Sequence, residues 1–149
     1  MERLIIDSRE HPDAIAGIVA WLEKHGVPYV KRKLGTGDYM LEGKEKRVVD
    51  RKQNLGELAH NLLSADKSRF YREIRRARAQ GIELIILCEH GGIHCLNDVK
   101  QWVPKYGKVT GRALADAIAR LEIGYGVPVL FCDKRSTGRR ILEILTETE

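Results

Sequence analysis

Gly37-Asp38-Tyr39-Met40-Leu41-Glu42-Gly43-Lys44-Glu45-Lys46-Arg47-Val48-Val49-Asp50-Arg51-Lys52 reads as two strands, residues 39–41 and 47–52, joined by a hairpin turning over residues 42–45. Asp38 stands six residues before Lys44 and Asp50 six residues after it, so a turn centred there sets the two aspartates opposite one another. Directly opposed residues have Cβ atoms about 4.5–5.5 Å apart, close enough for two carboxylates to share an ion. Lys52 follows Asp50 by two residues, so on an extended strand both leave the same face. Two acids and a lysine so placed can hold a divalent cation and activate a water beside it, which is the chemistry of phosphodiester hydrolysis.

Around this hairpin, strands alternate with helices. Leu4-Ile5-Ile6 forms a short apolar run inside a first strand at 3–7. Pro12 suits the first turn of a helix carrying Ile15, Ile18, Val19 and Leu22 on one face, closed by Gly26. Residues 27–34 read as a second strand. Asn54 caps a helix with Leu55, Leu58, Ala59 and Leu62 on one face, and 66–80 is a further helix burying Phe70, Ile74 and Ala77. Residues 82–88 are an apolar, β-branched central strand; 94–108 reads as irregular with one helical turn. A helix at 110–123, a strand at 127–131 and a helix at 136–145 close the chain. The pattern predicts an α/β sandwich with an antiparallel hairpin inside an otherwise crossover-connected sheet.

The 149 residues suit one domain, and no apolar run reaches membrane-spanning length. Three cysteines without framework spacing and no signal-peptide pattern lead us to expect a cytoplasmic protein. A net charge of +5 favours a polyanionic partner. The cations concentrate on the 66–80 helix as Lys67, Arg69, Arg72, Arg75, Arg76 and Arg78, with Arg69, Arg72 and Arg76 at the spacing of one face. A solvated outer face is the plain alternative; phosphate contact is favoured beside a hydrolytic site. Cys88, His90, His94 and Cys95 lack the usual zinc spacing, and Trp21 and Trp102 read as packing residues.

Several separated motifs occur in one order: Ile6-Asp7-Ser8-Arg9-Glu10, Gly37-Asp38-Tyr39, Asp50-Arg51-Lys52, then Arg69-Phe70 and a strand ending in Glu89. Together they resemble the nuclease domain of the XPF-type (XPF/Hef-like) structure-specific endonucleases. The resemblance covers nearly the whole chain. It implies a restriction-endonuclease-like fold, a three-layer α/β/α sandwich with a central mixed sheet, and cleavage of branched or junction DNA such as flaps and forks with Mg²⁺ or Mn²⁺. Carried onto this sequence, Asp38, Asp50 and Asp7 would be metal ligands, and Lys52 would lie beside the attacking water. Arg51, Arg9 and Glu10 would complete the site, and Arg69, Arg72, Arg76 and Lys67 would contact DNA. Two departures stand out. Asp50 occupies a position where relatives usually carry Glu, and no aspartate follows Lys52, where Gln53-Asn54 stands instead.

The resemblance further implies a homodimer, for which 110–123 and 136–145 are the candidate surface; the small size leads us to expect a bacterial, archaeal or phage source. The resemblance sets the enzyme in repair, recombination or mobile-element processing. No helix-hairpin-helix or helicase domain is expected within 1–149. Competing readings are a Holliday-junction resolvase or restriction-type nuclease of the same fold, and a non-catalytic DNA-binding subunit. Retention of Asp38, Asp50 and Lys52 argues against the last.

Overall fold

The computed structural model describes residues 2–147. Six strands form one mixed sheet: β1 (Leu4–Asp7), β2 (Tyr29–Arg32), β3 (Tyr39–Leu41), β4 (Lys44–Lys52), β5 (Glu83–Glu89) and β6 (Val129–Cys132), in the spatial order β2-β1-β3-β4-β5-β6. β3 runs antiparallel to both β1 and β4, while the remaining pairs are parallel. The helices are α1 (Ala16–Lys24), α2 (Leu55–Leu63), α3 (Lys67–Ala79), α4 (Leu96–Gln101), α5 (Gly111–Tyr125) and α6 (Thr137–Thr146).

Strand alternation sorts the side chains into two cores and so creates three layers. On one face Val48, Leu84, Ile86 and Cys88 pack under α2, α3 and α5 through Leu58, Phe70, Ile74, Leu114 and Ile118. On the other, Val49, Ile85 and Leu87 pack under α1 and α6 through Ile18, Leu22, Ile141 and Ile144. This is the α/β sandwich expected from the alternation of strands and helices. Among the described residues no helix is long and apolar enough to cross a membrane.

The hairpin keeps its predicted register where it matters and departs from it at the turn. Tyr39 pairs with Val49, as a mirror point at Lys44 requires, but Leu41 pairs with Lys44, so the register shifts between them. The turn is the tight Glu42-Gly43 pair, with Gly43 at φ +87°, and a bulge on β4 absorbs the excess residues. Other boundaries moved more modestly. Residues 12–15 form a turn ahead of α1, β2 is shorter than its apolar pattern, and α4 occupies part of the 94–108 stretch. Asn54 caps α2 by accepting from the Glu57 N–H at 2.8 Å, and Glu57 returns a bond from the Gln53 N–H at 3.0 Å.

Gly37 leads into β3 at φ +71°, where an added Cβ would sit 3.1 Å from Val48 Cγ2 and 3.2 Å from the Val49 carbonyl oxygen. Only glycine meets both conditions without strain. Gly37→Ala should therefore lower stability by about 1–3 kcal/mol. Gly124→Ala, in α5 with open space around it, should instead raise stability by up to about 1 kcal/mol. Urea unfolding of the two variants checks the pair.

Candidate active site

The parallel strands β1, β4 and β5 end at the same edge of the layers, and the residues entering β3 join them there. Ligand sites in α/β sheets favour this carboxyl end. A cavity of about 260 Å³ opens at it, lined by residues that include Asp7, Arg9, Asp38, Asp50, Lys52 and Arg76.

The backbone fixes the two central acids. Asp38 donates its own N–H to the Val49 carbonyl and accepts the Arg51 N–H on Oδ2, each at 2.8 Å. Its carboxylate thus does the work of a ladder carbonyl while facing Asp50. Burial first, then the neighbouring Asp50 and Glu10, push the Asp38 carboxyl up to about 9, against the pull of the Arg51 N–H. Two acids crowded in a low-dielectric recess cannot both ionise freely unless a cation joins them. Lys52 Nζ lies 3.4 Å from Asp50 Oδ2 and 4.9 Å above the centre of the Phe70 ring. The ammonium is therefore held between an anion and a π-face, aimed into the cavity.

Asp7 borders this cavity but is occupied otherwise. Its Oδ1 accepts the Leu34 N–H at 2.9 Å, and its Oδ2 accepts from Arg9 Nε at 2.9 Å. Arg9 also donates to the Leu34 carbonyl at 2.8 Å. Together they strap the loop before β3 against the end of β1. Among the described residues no three His, Cys, Asp or Glu side chains converge as a metal-binding group, either at Asp7, Asp38 and Asp50 or around Cys88 and His94.

The arginine helix divides its cations. Arg76 lines the cavity and donates to the Gly35 carbonyl at 3.1 Å. Arg69 lines an adjoining cleft of about 370 Å³ with His60, Asn61, Asp66, Phe70 and Glu73. Arg72 and Lys67 are exposed and line neither. Glu73, which borders both spaces, was not singled out from the sequence. Its position four residues after Arg69 and three before Arg76 places it inside the same stripe.

Residues 6–145 match the ERCC4 domain family. The chain belongs to that family. Two solved structures share the fold of this ERCC4 domain. XPF from Aeropyrum pernix is 24% identical with a TM-score of 0.69, the match covering 96% of this chain and 63% of that one. XPF from Aeropyrum pernix in complex with DNA is 24% identical with a TM-score of 0.71, covering 97% of this chain and 64% of that one. The chain thus spans just under two thirds of the solved proteins it matches. No curated protein matches it in sequence. The resemblance carried by the separated motifs is borne out, and so is the fold it implies.

Arg51 is set apart from its neighbours in this ERCC4 domain. It falls between Asp50 and Lys52 on β4, so its side chain enters the opposite face of the sheet. There it is 2% exposed and meets Glu10 through Nε and Nη2, at 3.2 and 3.3 Å, and Glu89 through Nη1 at 2.7 Å. Burial opposes its charge, but the bonds to Glu10 and Glu89 outweigh burial and raise its pKa further. Arg51 and Glu10 thus form a buried clamp joining the loop after β1 to the end of β5, behind the acids and out of reach of a phosphate. Removing one member of such a clamp strands the others, so Arg51→Ala should cost about 3–5 kcal/mol in denaturant unfolding. Undiminished stability with a loss of DNA affinity would place it at the substrate instead.

Asp38 carries a pH signature. The folded chain holds its proton more tightly than the unfolded chain, so its contribution to stability is complete below the ordinary value of 3.8 and fades as pH rises toward about 9. Without divalent cations, Asp38→Asn should therefore gain stability relative to the wild type progressively across that interval. Thermal melts at stepped pH measure the difference, and a pH-independent gap would show that Asp38 ionises normally.

Proposed function

We propose that this ERCC4 domain is a Mg²⁺- or Mn²⁺-dependent endonuclease that cuts branched or junction DNA such as flaps and forks. The observation that carries the reading is the Asp38–Asp50 carboxylate pair with Lys52 beside it, in one cavity at the carboxyl end of the sheet. The donor set fits a hard cation: two carboxylates, with burial first and crowding second keeping a proton on Asp38, offer oxygen ligands that a divalent ion would neutralise. Asp38 and Asp50 would hold the ion, with water filling its remaining positions. When bound, such an ion lowers the pKa of a coordinated water and neutralises charge on a phosphate oxygen.

The chain's own groups then have distinct tasks. Lys52, fixed by Asp50 and Phe70, presents a positive charge where the phosphate becomes more negative. Arg9 and Arg76 flank the opening and attract the backbone, and Arg69 extends that attraction along α3. These contacts meet phosphates, which carry no sequence information, so the DNA is selected by its shape. That the solved XPF from Aeropyrum pernix was captured with DNA agrees with this substrate class. The same reading includes a homodimer formed through 110–123 and 136–145, the stretches of α5 and α6 on either side of the edge strand β6 in the chain, with Ile123 exposed on α5.

Labelled flap, fork, Holliday-junction and plain duplex DNAs incubated with and without Mg²⁺ or Mn²⁺ test the proposal. Metal-dependent cutting of flaps or forks is expected. Asp50→Ala should abolish it while keeping most of the binding, and Lys52→Ala should slow it about 10²–10³-fold. Binding without cutting of any of the four would sink the enzyme reading, and preference for the four-way junction would mark a resolvase.

A further inference from the structure

Three hollows adjoin one another in sequence through shared wall residues. The catalytic cavity shares Glu73 with the cleft between α2 and α3, and that cleft shares His60 with a third space of about 570 Å³. Their character changes along the way. The first is lined by charged groups; the last is apolar and aromatic, bounded by residues that include Leu63, His90, Trp102, Lys105, Tyr106 and Val109.

The aromatic end is built rather than incidental. The Leu55 N–H donates to His90 Nδ1 at 3.1 Å, which orients the imidazole. That ring meets the Trp102 indole edge to face, with centroids 6.2 Å apart at 83°. Gly111 lets the start of α5 press against the Val99 and Trp102 carbonyls, where any Cβ would overlap them. The segment is thereby anchored at Trp102, while Tyr106 beyond it is 83% exposed. In the cleft between the two ends, Asn61 Oδ1 is buried and has no hydrogen-bond partner among the described residues.

We propose that these hollows form the path of an unpaired DNA strand, and that the aromatic end stacks one of its bases on Trp102 and Tyr106. This rests on the nuclease reading and names the part of the substrate that the reading leaves open. A base inside a duplex has both faces covered by neighbours, so only an unpaired base can offer a face to these rings. Each hollow has a cation in its wall, Lys52 and Arg76 in the first, Arg69 in the second and Lys105 in the third, which suits a phosphate backbone. The acids of the cleft, Asp66 and Glu73, stand beside the Arg69 and His60 that line it too. A peptide would answer the apolar lining but gives no reason for a cation in each hollow.

The test uses a single-stranded oligonucleotide with one 2-aminopurine, and a blunt duplex of the same sequence, both in EDTA so that nothing is cut. Wild-type protein should bind the single strand and quench the probe. Tyr106→Ala, at an exposed site where folding is insensitive, and Trp102→Ala should each weaken single-strand binding by about tenfold and relieve the quenching. Blunt-duplex affinity should change less than about twofold, and Trp102→Phe should retain most of the single-strand binding. Unchanged single-strand affinity in Tyr106→Ala and Trp102→Ala, equal losses on both DNAs, or no quenching by the wild type would each overturn the proposal; the first is what a peptide pocket would give. Cutting assays separate the two claims. Normal cutting without quenching defeats the stacking path alone, whereas quenching without cutting defeats the nuclease alone.

Discussion

Two carboxylates forced into one recess organise the rest of this site. Asp38 is held there by the Arg51 N–H and its own bond to Val49, and Asp50 by its place on a central strand. Asp38 cannot turn away without giving up the Arg51 N–H, and Asp50 is drawn to Lys52 beside it, so their mutual repulsion is retained in the fold rather than relaxed. Burial first, and that repulsion after it, hold a proton on Asp38. A divalent cation converts that repulsion into attraction, which is why an arrangement unfavourable to stability is informative about function.

The alternation of β4 distributes the surrounding chemistry. Asp50 and Lys52 emerge beside α3, where the arginines lie; Arg51 emerges on the α1 and α6 side, into the grip of Glu10 and Glu89. One tripeptide therefore supplies a reaction centre on one face and its support on the other. Gly37 belongs to the same construction, since its positive φ and tight approach to Val48 set where Asp38 begins. The Asp7–Arg9–Leu34 strap does the equivalent for the loop on the other side of the cavity.

Much of this was legible in the residues. The period of two in β4 and β5 and the spacing on α2, α3 and α5 defined the layers, and the mirror point at Lys44 set Asp38 against Asp50 despite a misplaced turn. Local signals could not reveal the bulge, because a register shift is a compromise between strand pairing and turn chemistry. The partners of Arg51 were similarly hidden. The sequence reading set Arg51 within the site beside Lys52, but its partners Glu10 and Glu89 lie 41 and 38 residues away, so only the folded topology unites them. Trp102 read as a packing residue because the short α4 and the loop behind it carry little periodicity; its ring in fact both packs on the core and lines the aromatic hollow.

The claim on which the account turns is that Asp38 and Asp50 form a divalent-cation site. Calorimetric titration of Mn²⁺ into the full chain, repeated in two buffers of different ionisation enthalpy, addresses it without reference to cutting. The account predicts saturable uptake accompanied by proton release near neutral pH, as Asp38 surrenders its proton, and loss of both in Asp38→Asn. Absence of uptake by the wild type, or uptake that survives Asp38→Asn unchanged and without proton release, would contradict it.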